Sequence, residues 1–430
     1  MRAIEHRTSM KSLLPLCLVL VGGQFCSGQS GWSTLNIPNA GRYDDVFFIN
    51  DSVGWAAGGP SGWIRKTVDG GASWTLQFLA PNYLRSIEFV NADTGFCGSL
   101  NTALYRTTDG GDSWTDISAA ISPLPAGICG LSAPSSSTIY GCGLWASPAF
   151  VVKSSDGGDT WSYIDMSAYA HALVDIHFIS PDTGFVTGTA MPASDGGIIL
   201  YTTDGGATWT PRYTTGMASD IVWKIQRLDA DHWFASIFSE PVNDDTRMLS
   251  STDGGATWTM SEVAGTYTYV ETIGFLDLLH GWTGGENILW ETTDGGANWQ
   301  QISLGDNYNR FFKVNDSTAY LSGSKIYKYA ADFSSGLATE DPTREAHTLD
   351  VRPSITDGHI TIDVTLDAFT IADLRILGAD GAILELLMHG KKEKGRYSFS
   401  AELLKEADGV VFVVLKTNEG MQYRKVVLAR

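Results

Sequence analysis

Six near-copies of one eight-residue motif in this 430-residue chain set an aspartate before two glycines, at Asp69, Asp109, Asp156, Asp204, Asp253 and Asp294. A tryptophan follows each, at Trp74, Trp114, Trp161, Trp209, Trp258 and Trp299. Such an Asp suits a metal loop, a phosphate cradle, a catalytic acid or a turn. None of the six has the companion carboxylates of a calcium loop. Sixfold repetition argues against catalysis, because one reaction centre needs one constellation of groups. A tight hairpin, by contrast, uses every residue of the motif. Gly tolerates φ > 0, Asp accepts hydrogen bonds from the backbone N–H groups that follow it, and Trp buries a large ring. The motif reads as scaffold.

A second set of chemistry-bearing residues leads into apolar stretches: "GRYDD" (41–45), "NYLRS" (82–86), "AYAHA" (168–172), "DIVWK" (220–224), "YTYVE" (267–271) and "NYNRF" (307–311). They supply Tyr43, Tyr83, Tyr169, Trp223, Tyr267 and Tyr308, with Arg42, Arg85 and Arg310. Aromatic faces stack on sugar rings or pack peptides, and Arg forks grip carboxylates or phosphates. These nine are the candidate ligand-binding residues, for a glycan, a peptide or another anionic ligand. The tyrosines also fit a second reading, in which the residue before an inner strand packs the same way in every repeat. The arginines favour binding, since like charges brought together need an anionic partner. A glycosidase needs two carboxyl groups flanking the scissile bond. Asp44 and Glu271 are the candidates for that role, with Asp175 and Asp220 nearby in the same kind of segment. His171, His177, His232 and His280 are scattered singly. There is no nucleophile elbow, phosphate loop, dinucleotide fingerprint or metal-ligand spacing. No metal and no cofactor is expected.

The elements that position these residues follow from the spacing. The six aspartates lie 40, 47, 48, 49 and 41 residues apart. A period of that length with strand-like content predicts propeller blades. "VFFINDSVGWAAG" (46–58), "IEFVNADTGFCG" (87–98), "IHFISPDTGFVTG" (176–188) and "IGFLDLLHGWTGG" (273–285) keep the same phase as strand, turn and strand. Each blade therefore reads A strand, turn, B strand, loop, C strand, Asp-Gly-Gly turn, D strand. "FFKVNDSTAYLSGSKIYKYA" (311–330) supplies A, B and C strands without a D strand, and "GWSTLNIP" (31–38) is a D strand with nothing before it. Joined, they close a seven-bladed ring and remove its sheet edges. The Asp-Gly-Gly turns then share one face. The segments with Arg and Tyr surround the channel mouth on the other.

The pattern [ST]-x-D-G-G-x-[STN]-W resembles the Asp box of sialidases, sortilin-type receptors and xyloglucan-active glycosidases. With "GWAAG" and "GFVTG" B strands and seven blades, residues 30–332 are most similar to the photosystem II assembly and stability factor family of propellers. That family has relatives in organisms without a photosystem, so the resemblance implies fold more than function. Sialidases are six-bladed, and their "R-I-P" arginine signature is absent.

Beyond a small, polar linker (333–348), residues 349–430 alternate as short strands, predicting a small antiparallel β-sandwich. The step around Asp380 and Gly381, Gly395 and Gly409 before strands, and the closing "YRKVVLAR" with Lys425 resemble the C-terminal sorting domain of the type IX secretion system. Val410 and Val411 stand where that family has a Tyr, and "RPS" replaces its "YPNP". The resemblance implies a Bacteroidetes-type bacterium and the type IX machinery as a partner.

Residues 1–28 read as a signal peptide: Arg2, Arg7 and Lys11, an apolar run from Leu13 to Val21, then small residues at Ser27 and Gly28. No later stretch is apolar enough to span a bilayer. A formal charge of −19 excludes a general nucleic-acid binder. Cys129 and Cys142 flank "APSSST" and suit either a hairpin disulfide or two small buried residues. The expectation is an all-β, exported or cell-surface protein: a seven-bladed propeller (29–332) followed by a sandwich. It acts as a non-catalytic binding or scaffold module at the mouth opposite the Asp-box turns. The alternative is a glycoside hydrolase, sialidase-like or β-glucan-active, at the same mouth.

Overall fold

The computed structural model describes residues 31–239, 245–330, 347–353, 355–356, 358–378, 383–403, 410–417 and 420–428. The leader-like segment 1–28, most of the linker and the Asp380–Gly381 step lie outside the described residues. Among the described residues the strands form seven four-stranded sheets, one three-stranded sheet and one five-stranded sheet. The chain is all-β, and its seven four-stranded sheets are propeller blades.

Six blades are meanders of consecutive strands, with A strands at Tyr43–Phe48, Leu84–Phe89, Gly130–Ser132, Ala170–Phe178, Asp220–Arg227 and Val270–Phe275. Blade 7 takes Tyr308–Lys313, Thr318–Gly323 and Ile326–Ala330 from one end of the propeller and Trp32–Thr34 from the other. Trp32 pairs with Tyr329 and Thr34 with Tyr327. This pairing completes blade 7 from both ends of the propeller and closes the ring, each blade keeping a short D strand as its outer edge.

Neighbouring blades are joined by a repeated aromatic stack. The Phe near the end of an A strand lies flat on a B-strand aromatic of the preceding blade: Phe48 on Tyr320 at 3.7 Å, Phe89 on Trp55 at 3.6 Å, Phe178 on Tyr140 at 3.5 Å, Phe275 on Phe234 at 3.7 Å. The Asp-box Trp of the same blade then meets that Phe edge-on, as Trp209 does with Phe178 at 6.1 Å and 89°. The Gly opening the B strand makes room for the Phe. A Cβ on Gly95 would lie 2.5 Å from the Phe89 ring. So the "GF" and "GW" dipeptides record a ring pressed against backbone.

The Asp box is held by its own atoms. Asp204 Oδ1 accepts from the Thr202 hydroxyl at 2.8 Å and from the Thr208 amide at 2.9 Å, and Oδ2 accepts the Thr208 hydroxyl at 2.6 Å. The hydroxyl four residues on is the chief reason that Asp69, Asp109, Asp156, Asp204 and Asp253 fall to about 2. At Asp294 burial opposes the shift, but hydrogen bonds from Asn298 still lower it. Both glycines take positive φ in every copy. The first donates its amide to the A–B turn of its own blade, as Gly205 does to Asp182 at 2.8 Å. Its carbonyl reaches the blade before, where Gly205 accepts from Tyr140 and Lys153. The A–B turns and the Asp boxes therefore lie together on one face.

The C-terminal strands form two sheets. One joins His347–Arg352, His359–Leu366 and Gly395–Glu402; the other joins Ile355–Thr356, Gly420–Leu428, Val410–Thr417, Thr370–Gly378 and Ile383–Lys392. Leu349, Ile362, Val364, Leu374, Ile376, Val411 and Val413 fill the space between them. His347 and Thr348, read from sequence as linker, begin the first strand.

Cys97, Cys129 and Cys142 are buried, free thiols. Cys142 stands opposite Gly130, one residue from Cys129. That offset turns the two thiols to opposite faces of the sheet, which is why the adjacent strands carry no bridge.

Trp209 has 4% of its surface exposed in the core between blades 3 and 4. Trp209→Ala should cost about 3–5 kcal/mol of stability, read as a lowered urea midpoint with an unchanged slope.

Candidate functional site

The channel is lined by residues that regular strand pairing would turn elsewhere. A bulge interrupts the A–B pairing in blades 1, 2, 4, 5, 6 and 7. The residues skipped are Asp44, Arg85, His171 and Val174, Trp223 with Lys224, Glu271 and Asn309. A bulge adds one residue to one strand and re-aims its side chain. In blades 1 and 5 it brings two consecutive side chains, Asp44 with Asp45 and Trp223 with Lys224, among the channel contacts. A B-strand hydroxyl serves the displaced amide where the ladder is broken: Ser236 accepts from Lys224 and Ser322 from Arg310.

The three arginines come together with carboxylates of the chain itself. Arg42 reaches Asp44 at 3.0 Å and Glu271 at 2.7 Å. Arg85 also binds Asp44. Arg310 donates to both oxygens of Asp175, at 2.9 and 3.0 Å, and lies 3.6 Å from Asp45. Lys224 adds a second cation 3.5 Å from Asp175. The anionic partner demanded by the convergent arginines is thus internal. Arg310–Asp175 joins blade 7 to blade 4 and Arg42–Glu271 joins blade 1 to blade 6, so the pairs cross the channel between blades that share no edge.

The same carboxylates bind neighbouring backbone. Asp45 accepts the Ile87 amide at 3.0 Å and Asp175 the Ile225 amide at 3.1 Å. Burial raises Asp45, whereas at Asp175 Arg310 and Lys224 overcome burial and lower it. Burial lowers Lys224. His177 falls to about 4 through burial and the nearby Arg310. Glu88 rises to about 8, mainly through burial, with Asp45 adding to the rise.

Above this charged layer lies an aromatic one. Trp145, 38% exposed in the B–C loop of blade 3, meets Trp223 of blade 5 at 6.0 Å. Trp223 contacts Phe238 at 5.3 Å, and Phe238 meets Tyr269 edge-on at 4.9 Å. The Arg85 guanidinium sits 5.7 Å from the Trp223 ring centre. Tyr83 is half-buried beside Asp44, and burial together with that carboxylate raises its hydroxyl.

The other aromatic candidates go elsewhere. Tyr43 and Tyr308 are fully buried, donating to Pro38 and Gly305 of the loops above them. They follow the repeat-geometry reading. Tyr169 is half-buried against the core between blades 3 and 4, and Tyr267 is half-buried in the loop before blade 6. Asp220 is held by Arg247 at 3.0 Å and by Ser239. Trp145 and Phe238 had no signal in the repeat, and Lys224 stood in the segment 220–224 without being singled out. Trp145 sits in a loop peculiar to its blade, and the other two depend on strand register.

A model of the photosynthesis system II assembly factor YCF48 family matches residues 26–133 and 159–264. The chain is 26% identical over 349 residues to the photosystem II assembly lipoprotein Ycf48 of Synechococcus sp. (strain CC9902), covering 74% of this chain and 96% of that protein. Two solved structures share the fold, each at 18% identity and a TM-score of 0.56. One is YCF48 bound to D1 peptide, covering 71% of this chain and 98% of that one, and the other is YCF48 from Cyanidioschyzon merolae, covering 70% and 99%. These matches support a Ycf48-like Asp-box propeller.

Two substitutions test the charged layer. Arg310→Ala leaves Asp175 buried with less compensation and should cost about 3–5 kcal/mol, measured by urea unfolding. Glu88 stabilises the fold in its protonated form, fully so below its ordinary 4.5, and this contribution is lost as pH rises through about 8. Glu88→Gln should therefore gain on the wild type in Tm as pH is raised across that window.

Proposed function

From a Ycf48-like Asp-box propeller we infer a non-catalytic binding module that captures a peptide segment at the channel mouth opposite the Asp boxes. One observation carries this reading: the charges below the mouth pair with one another, while an aromatic surface of Trp145, Phe238 and Tyr269 remains at the rim. Aromatic rings hold apolar and aromatic peptide side chains with large contact area and little loss of side-chain freedom. Arg42, 21% exposed, is already held by Asp44 and Glu271 and belongs to the floor beneath that surface. That a related propeller has been solved with a bound D1 peptide supports a peptide over a sugar.

Hydrolysis has less support. Asp44 and Glu271 share Arg42, so both have lone pairs engaged by guanidinium N–H groups. A glycosidase needs one carboxyl group carrying a proton to the leaving oxygen and another free to attack or to activate water. The reading also includes export by the leader-like segment and sorting through the C-terminal sandwich, on the sequence resemblances alone.

The test presents the full chain with arrayed synthetic peptides and, separately, with sialosides and β-glucans. Peptide capture should weaken at least tenfold in Trp145→Ala, with Tm unchanged, and no sugar should be released. Release of sugar that disappears in Glu271→Gln would replace binding by hydrolysis.

A further inference from the structure

On the Asp-box face, blade 6 departs from the repeat. In blades 1, 2 and 4 the tip of the A–B turn is polar and exposed: Asn50–Asp51–Ser52, Asn91–Ala92–Asp93 and Pro181–Asp182. In blade 6 the tip is Asp277–Leu278–Leu279–His280, and both leucines are buried, at 9% and 2% exposure. Two leucines on a hairpin tip need a cover. The five-stranded sheet of the C-terminal sandwich supplies it: Leu278 lies against Gly390, and Ile371 lies against Gly295 of the blade 6 Asp box.

Around this apolar contact each of three successive A–B turns meets one basic side chain of that sheet. Asp229 of blade 5 faces His389 at 3.4 Å, Asp277 of blade 6 takes Lys416 at 2.9 Å, and Asp316 of blade 7 takes Arg375 at 3.3 Å. The three basic side chains come from three adjacent strands. His389 and Lys416 both stand opposite Asp373, on its two flanking strands, and Arg375 is two residues along from Asp373 on the same face. Asp373 binds His389 at 2.8 Å and also holds Arg375, so it aligns the row from beneath. An A–B turn aspartate recurs around the ring at Asp51, Asp93 and Asp182. Charge alone would therefore allow several seats. The leucine tip is present in blade 6 and selects one of them.

We propose that the face formed by blades 5, 6 and 7 is a specific docking site for the chain's own C-terminal sandwich. The apolar tip fixes the seat, and the contacts of Asp229, Asp277 and Asp316 with His389, Lys416 and Arg375 fix the orientation. The sandwich then rides on the side away from the mouth, and the mouth points away from whatever the C-terminus is attached to. Undocking uncovers Leu278.

Zero-length cross-linking of the native full chain with a carbodiimide, read by peptide mass spectrometry, tests this directly. Lys416 and Asp277 should be joined, as should the control pair Lys313–Asp316 inside the blade 7 turn, whose atoms lie 2.5 Å apart. Leu278→Asp and Ile371→Asp should each abolish the Lys416–Asp277 link and leave the control. Hydrogen exchange over 410–417 reports whether the sandwich remains folded in Ile371→Asp. If it opens, Leu278→Asp alone decides. A control link without the Lys416–Asp277 link in the wild type overturns the docking site, and so does a Lys416–Asp277 link that survives Leu278→Asp.

Discussion

The Arg310–Asp175 pair sets the terms for the rest of the propeller. A ring of seven sheets has no core in the usual sense at its axis, because the inner strands cannot converge there. Apolar side chains would leave a void, and water would hydrate whatever polar groups remained. This chain fills the axis with ions of both signs. Arg310, Arg42, Arg85 and Lys224 interleave with Asp175, Asp45, Asp44 and Glu271. Taking such charges from water is expensive, and paired charges do no more than roughly offset it. Their contribution is geometric. A cation from blade 7 satisfied by a carboxylate of blade 4 fixes distance and orientation across the channel, which stacking between adjacent blades does not constrain.

The periphery obeys a different economy, made of short-range contacts. Each Asp box closes its own hairpin, reaches back to the A–B turn of its blade, and presents a carbonyl to the blade before. The Phe of the A strand is sandwiched between a flat aromatic neighbour and a Trp edge. Every one of these contacts lies within a blade or between adjacent blades, so the repeat can be copied with local changes. Blade 3 shows the tolerance: its A strand is three residues long, yet its B-strand Tyr140 still carries the stack with Phe178.

That difference decides what was legible in the sequence. The blades were readable because their contacts recur at fixed offsets: Asp204 to Thr208, Gly before the second aromatic, Trp five residues after Asp. Closure by Trp32–Thr34 followed from counting strands at both ends. The channel was only half readable. Its arginines stood out as residues, but apart from Arg42–Asp44 their partners lie one to three blades away, and a bulge lets two consecutive residues reach the ion pairs where regular pairing would admit one. Asp44 and Asp45 are adjacent in sequence, yet the first binds Arg42 and Arg85 while the second neighbours Arg310. Tyr43 and Tyr308 shared the motif position of Tyr83 but are covered by their own loops. Trp145 was invisible because it belongs to an irregular loop. The leucine tip of blade 6 was visible as a break in an otherwise polar turn, though its cover lies roughly a hundred residues further on.

Taken together, these constraints separate stability from recognition along the axis. The charged layer is closed on itself, so a ligand that sought its arginines would have to displace carboxylates already held at hydrogen-bond distance. Such an exchange gains little, since one buried pair replaces another. The aromatic layer is different: Trp145 remains partly exposed, and the rings behind it are already desolvated and fixed by Arg85 and Phe238. A ligand that covers Trp145 removes apolar surface from water without breaking a pair. The physical site for recognition is therefore the rim, and the ions beneath it serve as the rigid floor on which it stands.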